Sequence, residues 1–202
     1  MPEVEGLALY EAAWAAADEE GSSRVMIEIG AWCGKSTIYL GAAAAAVGPG
    51  TPAAASSVLF SIDHHRGSEE QQPGWDHHDP ALVDVRSGRI DTLPSWRRTI
   101  EAAGLESCVI GVVGDSRRVA AAWHTPICFC FIDGGHGEDA AWGDYNEWSP
   151  HVQPGGLLAI HDVFPEPAEG GRPPFEIYSA ALSSGNWVET AGEGSLRILR
   201  RI

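Results

Sequence analysis

The chain has 202 residues, of which 44% are hydrophobic, and a formal net charge of −15 with a pI of about 4.8. No apolar run reaches the roughly 18 residues that a membrane span needs, and no basic-then-apolar leader opens the sequence, so it reads as a cytoplasmic protein without a membrane partner. A phosphate backbone is repelled by this charge; Lys35 is the only lysine and no arginine cluster offsets it, so nucleic acid is excluded as a partner.

The length suits one domain, taken as residues 1–202. An amphipathic helix over roughly Val4–Glu20 comes first. Short apolar runs then alternate with helical patterns. Val25–Ile29, Val58–Ile62, Val109–Val113, Ile127–Ile132 and Leu157–Ile160 read as strands buried on both faces, as a covered parallel sheet requires. Lys35–Val47, Leu93–Ala103, Ser116–Trp123 and Glu138–Trp148 read as the helices between them. Trp187–Thr190 and Ser195–Arg200 suit a closing hairpin. The alternation predicts a doubly wound α/β sheet with helices on both faces. Two long polar segments interrupt it: His64–Ile90, with Trp75 and two histidine pairs, and Pro165–Pro174. Each follows a predicted strand end, where open α/β sheets bind ligands, so the first is expected to be an active-site loop. The four cysteines, Cys33, Cys108, Cys128 and Cys130, are expected to be free thiols, with Cys128 and Cys130 on one face of their strand.

Chemistry concentrates at the strand ends. Glu28–Ser36, EIGAWCGKS, is a strand, a glycine turn and a helix start. Glycines let backbone approach a ligand, and the helix N-terminus offers N–H groups. A dinucleotide loop wants glycine where Trp32 stands. A phosphate-binding P-loop shares Gly34-Lys35-Ser36 but wants glycine at Ile29. The third reading, an acidic strand end followed by E-x-G-x-x-x-G-x-S, lacks nothing. Asp63 ends the second strand and suits the two hydroxyls of a ribose. Asp115-Ser116 opens the helix after the third, with one of the two as N-cap. Asp133, then two glycines and His136, follow the fourth strand, and His161-Asp162 follows the fifth. Adjacent parallel strands bring these four together. Carboxylates with an imidazole suit Mg2+ or Mn2+, and a histidine suits a general base. Asp144 and Glu147, on the next helix, are read as a solvated face.

Taken in order, Glu28–Thr37, Ile62-Asp63, Ile132–His136, Pro154–Gly156 and His161-Asp162 resemble class I S-adenosylmethionine-dependent methyltransferases, over about Arg24–Phe164. The resemblance implies a Rossmann-like, mostly parallel seven-stranded sheet whose last strand is antiparallel. It implies that Glu28, Gly30, Gly34 and Ser36 belong to the cradle of the cofactor's methionine part. Asp63 would take the ribose, and Asp115-Ser116 would lie near adenine. Within the class, the chain looks most like the small metal-dependent O-methyltransferases, and its organisation is also similar to the mycobacterial sugar O-methyltransferases of methylmannose polysaccharide synthesis. That implies a hydroxylated small-molecule acceptor, carbohydrate by preference. It also implies Mg2+ or Mn2+ on Asp133, His161 and Asp162, and catalysis by Asp133 with His136 as base. His161 stands where that group carries an acid. A homodimer is the expected assembly if the chain associates. The alternatives are a diverged cofactor-binding relative with hydroxylase-like chemistry, a P-loop-like nucleotide hydrolase and a non-catalytic nucleoside-binding module.

Overall fold

The computed structural model describes residues 1–47, 56–75, 77–135, 137–166 and 170–202. In chain order the elements are α1 (Glu3–Asp18), β1 (Val25–Ile29), α2 (Lys35–Ala46), β2 (Val58–Asp63), β3 (Val83–Asp84), β4 (Arg89–Ile90), α3 (Leu93–Ala102) and β5 (Val109–Val113). Then come α4 (Ser116–Ala120), β6 (Ile127–Ile132), α5 (Glu138–Trp148), β7 (Val152–Ile160), α6 (Arg172–Ser183), β8 (Trp187–Glu193) and β9 (Leu196–Arg201).

Seven strands form one sheet in the order β5-β2-β1-β6-β7-β9-β8. The pairings from β5 through β7 are parallel, and β9 is antiparallel to both β7 and β8. The sheet is therefore the expected mostly parallel one with its last strand reversed. The β8–β9 hairpin lays that last strand between β7 and β8.

Two apolar layers flank the sheet. On one face Leu9 and Ala13 of α1, Leu40 of α2 and Trp96 of α3 pack against Met26, Leu59, Phe129 and Phe131. On the other, Ala120 of α4, Tyr145 and Trp148 of α5 and Ile177 of α6 pack against Ile27, Ile62, Ile132 and Ile160. Strand order reverses between β1 and β6, so the crevice outside their carboxyl ends is the topological switch point where such sheets hold ligands.

Four expectations need correction. β5 is not buried on both faces: it is an edge strand, with Ile110 and Val113 exposed. An apolar run carries no record of its place in the sheet order. Cys128 and Cys130 pack in opposite layers: the β6–β7 register is irregular between Ile127 and Phe129, where two steps along β6 stand against five along β7, and Cys128 falls on the same side as Phe129. The stretch 165–174 is not all loop, since α6 starts at Arg172 with Pro173 and Pro174 in its first turn, where a missing N–H costs nothing. α4 ends at Ala120, short of Trp123. The described residues of the segment 64–90 form short 3-10 turns at Glu69–Gln71 and Pro80–Leu82 and the β3–β4 ladder. Among the described residues no helix is long and apolar enough to cross a membrane.

Candidate active site at the strand ends

The glycine turn after β1 is held from below. Glu28 is fully buried and accepts hydrogen bonds from Ser36 Oγ (2.5 Å), Thr37 Oγ1 (2.6 Å) and Ser61 Oγ (2.5 Å). Burial pushes its carboxyl up to about 7, against the pull of the three hydroxyls. Glu28 thus lies under the cradle and ties α2 to β1 and β2, and Ser36 spends its hydroxyl on the same bond. A P-loop serine must offer that hydroxyl to Mg2+; Ser36 is buried and already committed. The surface of the cradle is backbone: Gly30 (φ +87°), Trp32 (φ +48°), Gly34 (φ +94°) and the first turn of α2, whose N–H groups have no acceptor within the helix. Gly30 has a further reason to be glycine, because a Cβ there would lie 2.1 Å from the Asp133 carbonyl oxygen.

Asp63, at the end of β2, accepts Trp32 N–H at 2.8 Å on one oxygen and His65 N–H at 2.7 Å on the other. It holds the turn after β1 and the start of the 64–90 segment in one register. Each oxygen keeps a second lone pair, at a carboxylate that is 12% exposed. Asp115 caps α4 by accepting Arg118 N–H at 3.2 Å. Ser116 donates to Asp144 of α5. This overturns the solvated reading of Asp144: it is buried, and burial pushes its carboxyl up to about 6. Glu147 is exposed, as expected. The sequence did carry a signal for Asp144, which falls within the apolar stripe Ala141–Tyr145–Trp148 of its helix.

At the ends of β6 and β7, Asp133, His161 and Asp162 converge, with one ligand atom from each inside a 4.8 Å group. His161 Nδ1 lies 3.1 Å from Asp133 Oδ1 and 3.2 Å from Asp162 Oδ1. Both distances would allow a hydrogen bond, yet neither contact has the alignment for one, which leaves Nδ1 a buried polar atom without a hydrogen-bond partner. Burial works to lower the imidazole, and the two carboxylates overcome it and push it up to about 11. A hexacoordinate Mg2+ has bonds of about 2.1 Å, so neighbouring ligands stand about 3 Å apart. The Nδ1–carboxylate separations match that edge, and the oxygen-rich donor set suits a hard cation. The residues therefore fit the group that the resemblance implies. His136, the expected base, lies outside the described residues; Gly135 and Gly137 bracket it.

One participant had no motif to reveal it. The other ring nitrogen, His161 Nε2, lies 2.9 Å from Glu5 Oε2, on the first turn of α1. Glu5 also accepts Ser195 N–H (2.6 Å) and Ser195 Oγ (3.1 Å), from the turn between β8 and β9. Its signal was positional, since Glu5 falls on the stripe Leu9–Ala13–Ala17 that α1 buries.

Residues 27–163 match a family model described as a methyltransferase domain, well over half of the chain. The chain belongs to this methyltransferase domain family. Solved structures share its fold. TomG, an O-methyltransferase from Streptomyces achromogenes involved in tomaymycin synthesis and solved with SAM, is 16% identical, with a TM-score of 0.63 over 100% of this chain and 81% of its own. An O-methyltransferase from Bacillus cereus, solved with SAH, is 15% identical, with a TM-score of 0.60 over 100% of this chain and 82% of its own. The SAH-bound methyltransferase PaMTH1 from Podospora anserina is 10% identical, with a TM-score of 0.66 over 100% and 80%. Identities this low speak for the fold. Both ends of the family match fall at the site, from Ile27, next to Glu28 in β1, to Val163, one residue past Asp162.

Proposed function

We propose that this methyltransferase-domain chain transfers a methyl group from S-adenosylmethionine to a hydroxyl of a small molecule. The observation that carries the reading is the pairing, across the β1–β6 switch point, of a backbone cradle with the Asp133–His161–Asp162 cluster. The cradle at Gly30–Gly34 and the first turn of α2 would seat the amino-acid end of the cofactor. Asp63 would take the ribose with its remaining lone pairs. Asp115 and Ser116, set by the Asp144 bond, would border the adenine. The two neighbours solved with SAM and SAH as O-methyltransferases support this choice of cofactor and acceptor atom.

In the transfer, the acceptor oxygen attacks the methyl carbon, the carbon–sulfur bond breaks toward sulfur, and the hydroxyl proton goes to His136. Asp133 and Asp162 orient the hydroxyl, and holding the reactants in line supplies much of the rate gain. Mg2+ or Mn2+, when bound there, contributes Lewis acidity that lowers the hydroxyl pKa. The 64–90 segment would cover the acceptor: Ser68 packs beside Gly135, and Trp75 stands 55% exposed. A polar segment with an exposed indole suits a sugar or other polyol. Cytoplasmic location, a homodimer and the lack of a nucleic-acid partner belong to the same proposal, the last resting on the charge of −15.

Calorimetry tests the core of it. S-adenosylhomocysteine should bind saturably and Asp63→Ala should weaken it at least tenfold. Tight ATP binding with no response to either adenosyl compound would return the chain to the nucleotide-hydrolase reading.

A further inference from the structure

Glu5 is a buried carboxylate on a helix that precedes every motif of the site, 156 residues from His161. It has three partners. Two come from the backbone and hydroxyl of Ser195, and the third is the ring of His161. The packing around it is tight: a Cβ on Gly194 (φ +53°) would lie 2.2 Å from Glu5 Oε1. Glu5 and His161 are both nearly inaccessible to solvent, with side chains 3% and 6% exposed. A buried carboxylate in this position accepts the proton that Nε2 carries, so the ring can neither flip nor swing without breaking a charge-assisted bond. With Nε2–H given to Glu5, the proton that a cation would displace is the one on Nδ1, and the in-plane lone pair so freed belongs to that atom. That atom faces Asp133 and Asp162 at 3.1 and 3.2 Å, and neither satisfies it. A carboxylate behind a histidine whose other nitrogen faces a cation site is the arrangement that orients metal-binding imidazoles.

We infer that Glu5 is a positioning residue for the reaction centre: it holds His161 so that Nδ1, together with Asp133 and Asp162, completes a three-ligand site for a divalent cation. This rests on the cation reading of the cluster given above. It adds that the N-terminal helix sets the site's geometry, through Nε2 of a histidine that stands where an acid is expected. Ser195 is the anchor that keeps Glu5 from following the ring.

Mn2+ is the probe, with the 202-residue chain and no acceptor. Paramagnetic resonance should detect a directly bound ring nitrogen on Mn2+ in the wild type, and calorimetry gives its affinity. Glu5→Ala should lower Mn2+ affinity 10- to 100-fold and remove the nitrogen coupling. Glu5→Gln, whose amide oxygen still accepts from Nε2, should restore most of both. Glu5→Asp keeps the charge but withdraws the acceptor by one methylene; it should lose at least tenfold, and it decides the matter if the alanine variant does not fold. S-adenosylhomocysteine affinity should stay within about twofold in every folded variant, a result that a general loss of structure would not give. Mn2+ binding without nitrogen coupling, unchanged Mn2+ affinity in folded Glu5 variants, or no Mn2+ binding at all would each overturn the inference. The methyl-transfer reading fails separately, if the wild type does not bind S-adenosylhomocysteine.

Discussion

Glu28 shows how one buried side chain serves a site it does not touch. Its ionisable oxygen pair is spent on three hydroxyls beneath the cradle, and Trp96 Nε1 adds a bond to Thr37 Oγ1 at 3.2 Å. Its folded pKa, about 7, lies above the ordinary 4.5. A carboxyl raised in this way contributes stability that is fully present below pH 4.5 and is lost as pH rises through 7. The swing is on the order of 3 kcal/mol. Glu28→Gln cannot ionise, so it should gain on the wild type by about that much between pH 5 and pH 8 in denaturant titrations. Parallel pH profiles for the two proteins would show that Glu28 does not titrate in this range. Gly30 is decided by contact rather than charge. An alanine there meets the Asp133 carbonyl at 2.1 Å and must also adopt φ +87°. Gly30→Ala should cost about 3 kcal/mol or more, and a melting temperature near wild type would mean that the β1 and β6 loops can separate.

The 64–90 segment is the element whose role most needs separating from stability. Its base is closed by Thr92 N–H on the His65 carbonyl (3.2 Å), by His65 Nδ1 with Thr92 Oγ1 (2.7 Å) and by Arg66 Nη1 on the Ile90 carbonyl (3.0 Å). Among its described residues, the outer part, from Glu69 to Gly88, contributes no buried side chain, so little packing is at stake there. Replacing residues 69–88 with a short glycine linker should leave S-adenosylhomocysteine affinity within about twofold and lower acceptor turnover at least tenfold. Equal loss of both would make the segment part of the cofactor site. α5 teaches a related lesson. Its boundaries, Glu138–Trp148, were legible from its period, and Asp144 was nonetheless misread, because an acid inside an apolar stripe counts as polar until its partner, Ser116 on another element, is known.

At the scale of the whole molecule, the two ends of the chain meet at the site. Glu5 near the start and Ser195 near the end are bonded to each other, and α1 buries Leu9, Ala13 and Ala17 completely against the sheet. α1 is thus a structural layer rather than an appendage. Removing residues 1–20 would uncover that face, at roughly 25 cal/mol for each Å² of apolar surface, and leave His161 Nε2 and Ser195 N–H without their acceptor. The truncated chain should lose its cooperative melting transition and its affinity for S-adenosylhomocysteine together. A shortened chain that melts sharply and binds the cofactor would show that the helix is dispensable.

The sequence by itself determined the strand–helix alternation, the glycine cradle after β1 and the acids and histidine at the strand ends, because these depend on residue type and local spacing: period 2 or 3.6, glycine for positive φ, polar residues where strands stop. The fold class and the convergence of Asp133, His161 and Asp162 followed from that alternation, since parallel neighbours align their carboxyl ends. Only the tertiary structure decided that β5 lies at an edge, that Cys128 and Cys130 pack in opposite layers, that Glu28 and Ser36 satisfy one another below the cradle, and that Asp144 is buried on Ser116. It alone placed Glu5 behind His161, across 156 residues of chain. Long-range pairing leaves no local period to read, and whether a charged side chain faces water or a buried partner depends on what the rest of the chain brings to it.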